Sequence, residues 1–166
     1  MAKSKPIDIA VIGEVDDWEA DVVKHLLELP PRSECTFYID SAGGSVFGAL
    51  AVLTVLRRKH LQATAIVIGE CSSAALLLFG ACHRRFVTRY SVLLFHRMRW
   101  QSDKRIPSDE AFRWAKHFEE LEKDIDQLQA RLLASAEDRV REWTKGGYYV
   151  TGREIVEAGL AKMLEI

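Results

Sequence analysis

A serine, a histidine and two turns stand at positions that could build a hydrolase site. Residues 69–75 read GECSSAA, and Ser73 falls where a predicted strand meets a predicted helix. A serine is a good nucleophile only when a base removes its proton and hydrogen-bond donors hold the developing oxyanion. His96 ends an apolar segment further along the chain and could act as that base. The adjacent Ser72 is the alternative nucleophile.

Two backbone amides are candidates for the oxyanion donors. Ala74 begins the helix after Ser73, and unpaired amides at a helix start are positively polarised. Gly44 closes the turn at residues 40–44, which reads DSAGG and follows the preceding predicted strand. Parallel strands would bring both turns to one sheet edge, where glycine allows a close backbone approach. We therefore expect the amides of Gly44 and Ala74 to face the same carbonyl oxygen.

The elements that must position these residues alternate along the first half of the chain. β-branched and apolar segments predict a buried strand at 7–13, further strands at 35–39 and 62–69, and shorter strands at 86–87 and 92–95. Helical apolar spacing predicts helices at 18–29 and after Ser45, which is the expected cap of the second helix, and the run at 73–79 predicts a buried helix. This order indicates βαβ units with a parallel sheet, an α/β fold. We expect one domain over residues 1–166, with residues 1–6 flexible.

The second half predicts a long helix from Ser108. About 25 residues carry apolar side chains at near-helical spacing, a length unusual for a small domain. We expect this helix to protrude and to pack partly against another subunit. Its apolar stripe comprises Phe112, Ala115, Phe118, Leu121, Ile125, Leu128 and Leu132. A helix at 135–145, a strand at 148–150 and a capping box formed by Thr151 and Glu154 follow, with Gly159 as the predicted end of the last helix.

Composition excludes several classes of function. The 166 residues are 48% hydrophobic and carry a net charge of −1, so nothing in the overall charge attracts nucleic acid or an anionic membrane. Three cysteines form no paired metal spacing and predict reduced thiols in a cytoplasmic protein. Neither a signal peptide nor a membrane-spanning run is visible. We expect no cofactor and no metal.

Three segments together resemble the proteolytic subunit of the Clp protease: residues 38–46 (YIDSAGGSV), 69–75 (GECSSAA) and 92–96 (VLLFH). Residues 12–17, the long helix and residues 154–160 are similar too. The resemblance implies a crotonase-like fold, stacked seven-membered rings joined through the long helix, and hydrolysis of peptides or unfolded proteins in a chamber. It also implies that Ser73 is the nucleophile, that His96 is the general base, and that the amides of Gly44 and Ala74 form the oxyanion hole.

One member of the expected catalytic triad is missing. Members of the family carry an aspartate shortly before the segment matching 149–151, whereas Gly147 stands at that point and 144–151 contain no acid. Asp138, Glu142, Asp103 or a backbone carbonyl could hold the imidazole instead, so the third triad member stays open. Since losing this carboxylate costs a serine protease roughly four orders of magnitude in turnover, we expect weak activity. The chain also starts almost at the first strand, which argues against coupling to an unfolding ATPase.

Other functions are compatible with parts of the sequence. A catalytically silent ring subunit of a mixed assembly would explain the missing aspartate, although it would not need Ser73, His96 and Gly44 together. An acyl-CoA enzyme of the wider crotonase-like group would also use paired amides as an oxyanion hole. The basic residues between 83 and 105 could face nucleic acid, but we expect them to meet acidic residues of a long helix between subunits.

Overall fold

The described strands form one sheet, and the turns predicted at residues 40–44 and 69–75 lie at the ends of two of its strands. The computed structural model describes residues 7–102, 105–133 and 136–166. Within those ranges the strands are β1 (Ile7–Glu14), β2 (Glu34–Gly43), β3 (Gln62–Ser72), β4 (Arg84–Val87), β5 (Val92–Leu94), β6 (Tyr149–Thr151) and β7 (Lys162–Met163). The helices are α1 (Val15–Glu28), α2 (Val46–Arg58), α3 (Ala75–Ala81), α4 (Ser108–Leu132), α5 (Glu137–Gly146) and α6 (Gly152–Glu157). The predicted α/β class is confirmed. The predicted flexible residues 1–6 lie outside the described ranges.

The sheet forks at β3. Strands β1, β2, β3, β4 and β7 follow one another in parallel, and β3 pairs with β4 through residues 64–67. The last part of β3, residues 70–72, pairs instead with β5, which then pairs with β6. The β5–β6 pair is antiparallel, so the expectation of a parallel sheet holds for the main path only. As a result, the end of β3 lies beside the end of β5.

Most predicted elements are found, with shifted ends. Strands β2 and β3 run several residues further than predicted because polar residues continue the ladder, as in the pairing of Ser41 with Cys71. Helix α1 begins at Val15, three residues early, since Glu14 and Asp17 form a capping box there. The predicted burial of the first strand is wrong: β1 is an edge strand in which only Ile9 and Val11 are buried.

The caps predicted at two helices are confirmed. Ser45 Oγ accepts a 3.2 Å hydrogen bond from the Gly48 amide at the start of α2. Thr151 and Glu154 form the reciprocal capping box that begins α6. Such caps stabilise a helix by about 0.5–2 kcal/mol because they satisfy amides that lack intrahelical partners.

Helix α3 lies at the centre of the molecule. All seven of its residues are buried, as its unbroken apolar sequence predicts. Around it the core contains the fully buried side chains Phe37, Ile39, Leu93 and Phe95. Each such side chain contributes about 1.5–3 kcal/mol through burial. The turn before α3 is therefore attached directly to the buried core.

Helix α4 is docked at one end only. It has 25 residues, about 37 Å in length, and its buried residues are Gln129 and Ala130 near the C-terminal end. The apolar stripe divides accordingly: Ile125, Leu128 and Leu132 pack against the core, whereas Phe112 is 73% exposed. Across the described ranges, neither α4 nor another helix has the length and apolarity needed to cross a membrane.

Helix α5 closes the second half against α4. It begins at Glu137; the predicted start at Ser135 lies outside the described residues. Gln129 Nε2 donates a 3.1 Å hydrogen bond to Thr144 Oγ1, which joins the two helices in a buried setting. Gly147 ends α5 in the left-handed conformation, with φ +70°.

Candidate active site

Ser73 occupies a strained turn between β3 and α3. Its φ angle is +54°, in a region that non-glycine residues rarely adopt. Its amide donates a 2.9 Å hydrogen bond to the Leu94 carbonyl, and its own carbonyl accepts one from Leu76 at 3.0 Å. Such a conformation costs about 1–3 kcal/mol and persists where the surroundings enforce it. A sharp strand-to-helix turn of this kind exposes the hydroxyl of a nucleophilic serine.

Gly43 fits closely against this turn. A Cβ at Gly43 would lie 2.6 Å from Ser73 Cβ and 2.8 Å from the Ser72 carbonyl oxygen, and its φ is +100°. Ser41 Oγ accepts a 3.3 Å hydrogen bond from the Gly43 amide and a 3.4 Å hydrogen bond from Trp18 Nε1. Only glycine permits this approach, so the predicted need for glycine is clearest at Gly43, one residue before the candidate oxyanion donor.

The four sequence-predicted site residues line one cleft. Ser73, His96, Gly44 and Ala74 border a cavity of about 340 Å³ between the sheet edge and α4. Neither the Gly44 nor the Ala74 amide donates a hydrogen bond within residues 7–102, 105–133 and 136–166. Both amides are therefore available to an oxygen atom that enters the cleft.

A backbone carbonyl orients the half-buried His96. Its Nδ1 lies 2.6 Å from the Arg97 carbonyl oxygen. Because a carbonyl oxygen only accepts, this contact assigns the proton to Nδ1 and leaves Nε2 with a free lone pair. In the described part of the chain, no hydrogen bond joins His96 to Ser73. Catalytic hydrogen bonds are often long before substrate binds.

Phe95 anchors the strand end that carries His96. Phe95 donates its amide to the Tyr148 carbonyl at 3.0 Å, which continues the pairing of β5 with β6. Its ring lies 5.2 Å, between centroids, from that of Trp143 on α5. The strand end that carries His96 is thus held by a backbone hydrogen bond and by ring packing.

Of the acids named as substitutes for the missing aspartate, Asp138 and Glu142 are exposed on α5 and do not line the cleft. Asp103 lies outside the described residues. Gly147 is an exposed helix cap. Of the substitutes that fall within the described residues, the backbone carbonyl is the one that hydrogen-bonds to His96.

Sequence reasoning missed two carboxylates that border the cleft. Glu122 and Asp126 lie one turn apart on α4, are half-buried, and line the same cavity as Ser73. Burial raises the pKa of the Asp126 carboxyl, and the neighbouring Glu122 raises it further, while Arg97 and Arg141 lower it. Each acid directly follows a residue of the apolar stripe, Leu121 or Ile125. This position beside the stripe is the sequence signal that could have placed both acids near the cleft.

The surroundings of Ser72, the alternative nucleophile, suit a structural role. It is fully buried and does not line the cleft. Its hydroxyl donates a 2.6 Å hydrogen bond to Glu70 Oε1 and accepts one from the Leu94 amide at 3.2 Å. With both functions of the hydroxyl engaged, Ser72 is less suited to nucleophilic attack than Ser73.

The cysteines are unsuited to reaction or metal binding. Cys35, Cys71 and Cys82 are all buried and free. Burial raises the pKa of each thiol, to about 11 for Cys35, so the reactive thiolate is suppressed. Among the residues that the structure describes, no three His, Cys, Asp or Glu side chains are grouped so as to hold a metal ion.

Known proteins resemble the chain over nearly its whole length. The family model described as Clp protease matches residues 4–164. The chain belongs to the Clp protease family. It is 30% identical over 153 residues to the ATP-dependent Clp protease proteolytic subunit 1 of Corynebacterium diphtheriae, covering 89% of this chain and 73% of that subunit. The Clp resemblance is confirmed, and with it the crotonase-like α/β fold. Membership of the Clp family favours a peptidase over an acyl-CoA enzyme.

Proposed function

We propose that the chain is a serine peptidase that hydrolyses peptides or unfolded proteins. The observation that carries the proposal is the single cleft shared by Ser73, His96 and the two unpaired amides of Gly44 and Ala74. A strained serine, an imidazole and two free backbone donors in one cleft are the parts that acyl transfer requires. Family membership supports the same reaction class.

In the proposed reaction, Ser73 Oγ attacks the scissile carbonyl while His96 Nε2 takes the hydroxyl proton. The carbonyl oxygen becomes an oxyanion that accepts hydrogen bonds from the Gly44 and Ala74 amides. His96 then gives the proton to the leaving amine, and the acyl chain remains on Ser73. A water molecule, deprotonated by His96, releases the acid and restores the hydroxyl.

The Arg97 carbonyl supplies part of what the missing carboxylate would supply. In a Ser-His-Asp triad the carboxylate fixes the imidazole tautomer and stabilises the imidazolium. The 2.6 Å contact from His96 Nδ1 fixes the tautomer, but a neutral carbonyl stabilises positive charge less than a carboxylate does. We therefore expect measurable but slow turnover.

A fluorophosphonate probe, followed by intact-mass and peptide mapping, tests the assignment. Ser73 should be labelled, and Ser73→Ala should abolish the labelling. His96→Ala should slow it at least a hundredfold, the usual contribution of general-base catalysis. Labelling that survives in Ser73→Ala would overturn the proposal.

A silent subunit is the second candidate function. It is favoured by two observations: His96 contacts no carboxylate among the described residues, and it makes no hydrogen bond to Ser73 there. A silent subunit would give neither probe labelling nor peptide hydrolysis in isolation. Labelling of Ser73 together with cleavage of a fluorogenic peptide would exclude this candidate.

We also propose that the chain assembles with copies of itself, in rings of seven that stack in pairs. An aromatic cluster lies beside the free half of α4: Trp100, which precedes the helix, stacks with Trp114 and Phe118 on it, with ring centroids 5.4–5.9 Å apart, and both tryptophans are exposed. Such patches favour burial against a partner. Native mass spectrometry gives the ring size. Phe112→Glu should dissociate the assembly, whereas Leu27→Glu, a similarly exposed site on α1, should not.

Electrostatic contacts between the basic segment and α4 would make this assembly sensitive to salt. Sedimentation coefficients that are equal at low and high salt would argue against that contribution. The expectation that no ATPase partner is coupled stays a prediction. Co-sedimentation of the assembled chain with a Clp ATPase is the measurement that checks it.

A further inference from the structure

Two unpaired carboxylates share the cleft with the proposed nucleophile. Glu122 and Asp126 project from successive turns of α4 and line the cavity that also contains Ser73 and His96. Within the described residues, neither carboxylate forms an ion pair or a hydrogen bond. By contrast, Glu119 on the same helix is paired with Lys123 at 2.7 Å. Glu120 and Asp124 on α4 likewise have no such partner among the described residues, but they are exposed and lie outside the cleft, whereas Glu122 and Asp126 are half-buried in it.

This arrangement is unfavourable in the absence of a ligand. Like charges four residues apart destabilise a helix by about 0.2–0.5 kcal/mol. Partial burial adds a desolvation cost, which is visible in the raised pKa of Asp126. Arg97 and Arg141 offset the cost only in part, since burial and Glu122 are the larger influences. A cation that enters the cleft would reduce both the repulsion between the two carboxylates and the cost of their partial burial.

The other residues that line the cleft indicate what kind of cation would fit there. Leu77, Leu121 and Ile125 offer apolar surface beside the two carboxylates. An apolar wall with acids along it matches a long aliphatic stem that ends in a positive charge, as in lysine or arginine. Arg99 also lines the cleft, but it is exposed, so water screens its charge more than it screens the half-buried acids.

We propose that Glu122 and Asp126 select peptide substrates that carry a lysine or arginine next to the scissile bond. The inference rests on the proposed peptidase function, because it assigns the cavity beside Ser73 to a substrate side chain. The carboxylates attract the basic head group, and the apolar lining contacts its methylene stem. Acidic side chains at the same position are rejected by like-charge repulsion.

Peptide binding to the Ser73→Ala variant tests the selection without requiring turnover. Three fluorescent peptides that differ only in lysine, norleucine or glutamate at one position are compared by anisotropy. Norleucine keeps the aliphatic stem of lysine without its charge. We expect lysine to bind about tenfold more tightly than norleucine, and glutamate to bind most weakly. The lysine advantage should decrease as salt rises.

A matched pair of double variants isolates the cleft acids. Glu122→Gln with Asp126→Asn, in the Ser73→Ala background, should bring the ratio of lysine to norleucine affinity close to one. Glu120→Gln with Asp124→Asn removes the same charge at the same spacing from exposed positions outside the cleft, and should preserve the ratio.

The outcomes separate the selection from the chemistry. Equal affinity for lysine and norleucine, a preference unchanged in the cleft variant, or no binding of any peptide would overturn the selection. Probe labelling of Ser73 in the unmodified chain reports on the peptidase proposal independently. Labelling without lysine preference leaves a peptidase of another specificity. Lysine preference without labelling leaves a basic-peptide cleft without the proposed chemistry.

Discussion

The backbone of Leu94 holds both serines at the end of β3. Its carbonyl accepts the Ser73 amide at 2.9 Å, and its amide donates to Ser72 Oγ at 3.2 Å. Because Leu94 lies two residues before His96, the turn that carries the proposed nucleophile and the strand that carries the proposed base share one hydrogen-bonded frame. The strained φ of Ser73 is maintained by this frame.

Replacing the two serines separately should give opposite results. Ser72→Ala leaves the Leu94 amide and the Glu70 carboxylate without their partner, so we expect unfolding to be easier by about 1–3 kcal/mol while probe labelling persists. Ser73→Ala should abolish labelling and change the unfolding free energy by less than about 1 kcal/mol. Urea denaturation and intact-mass labelling measure the two effects. Labelling lost in Ser72→Ala at full stability would contradict the assignment.

Gly43→Ala should disable the site through the backbone. The added Cβ would lie 2.6 Å from Ser73 Cβ and 2.8 Å from a carbonyl oxygen, so the turn must shift. We expect labelling of Ser73 to fall at least tenfold, together with a loss of stability above about 1 kcal/mol. Labelling rate and thermal midpoint are measured in parallel.

Gly159→Ala is the control for this substitution. It imposes a similar positive φ, +72°, where an added Cβ meets no atom within 4 Å. It should lower stability without slowing the labelling of Ser73. Equal labelling losses in both variants would show that strain anywhere in the fold, rather than the contact at Gly43, reduces labelling.

Local sequence patterns correctly predicted the helix caps near the site. Ser45 and Thr151 cap their helices as expected because capping depends on residues a few positions apart. The ends of β2 and β3 were underestimated, since their last residues are polar. Asp40 Oδ1 accepts the Glu70 amide at 3.0 Å, a contact between distant residues that a local pattern does not reveal.

The features that the sequence did not predict depend on contacts between residues far apart in the chain or on the backbone. The apolar stripe of α4 marks a face of that helix, but not which end docks, and so not that Glu122 and Asp126 border the cleft. Three acids and a backbone carbonyl were the alternatives for the third triad member, and the contact to His96 comes from the backbone carbonyl of its neighbour, Arg97. A backbone partner leaves no trace in residue type, which explains why it stayed one of several alternatives.

Arg85 should be a major stabilising residue away from the cleft. Its half-buried guanidinium donates to the carbonyls of Leu160, Gly80 and Leu132 at 2.7, 3.2 and 3.3 Å, and so joins the ends of α3 and α4 to the segment after α6. Arg85→Met keeps the stem but removes the donors. We expect a loss of about 2–4 kcal/mol in urea denaturation, because the carbonyls lose their partners.

Arg84→Met provides the comparison for Arg85. Its guanidinium is exposed, bonds Thr64 Oγ1 at 3.1 Å, and lies 3.9 Å from Glu34. Exposed pairs of this kind contribute little, so we expect a change within about 1 kcal/mol. Similar losses for both arginines would mean that the carbonyl contacts of Arg85 do not carry its effect.

Asp126→Asn should stabilise the fold at neutral pH. The pKa of Asp126 is raised, chiefly by burial and then by Glu122, so its proton is held more tightly in the folded chain than in the unfolded one. Stability therefore falls as pH rises from the unfolded pKa of about 3.9 through the folded value. The amide carries no such cost. Unfolding free energies of both proteins, measured between pH 8 and 4.5, should show a gain for Asp126→Asn that shrinks as pH falls.

The same substitution links stability to binding. If Asp126 is kept for a basic substrate, Asp126→Asn should gain stability at pH 7 and lose affinity for the lysine peptide in one variant, as expected where binding sites retain unfavourable charge. Asp124→Asn, on the exposed side of α4, is the control for a change in net charge. A stability gain that is constant with pH would contradict the burial argument. A gain with unchanged lysine affinity would remove Asp126 from the proposed substrate contact.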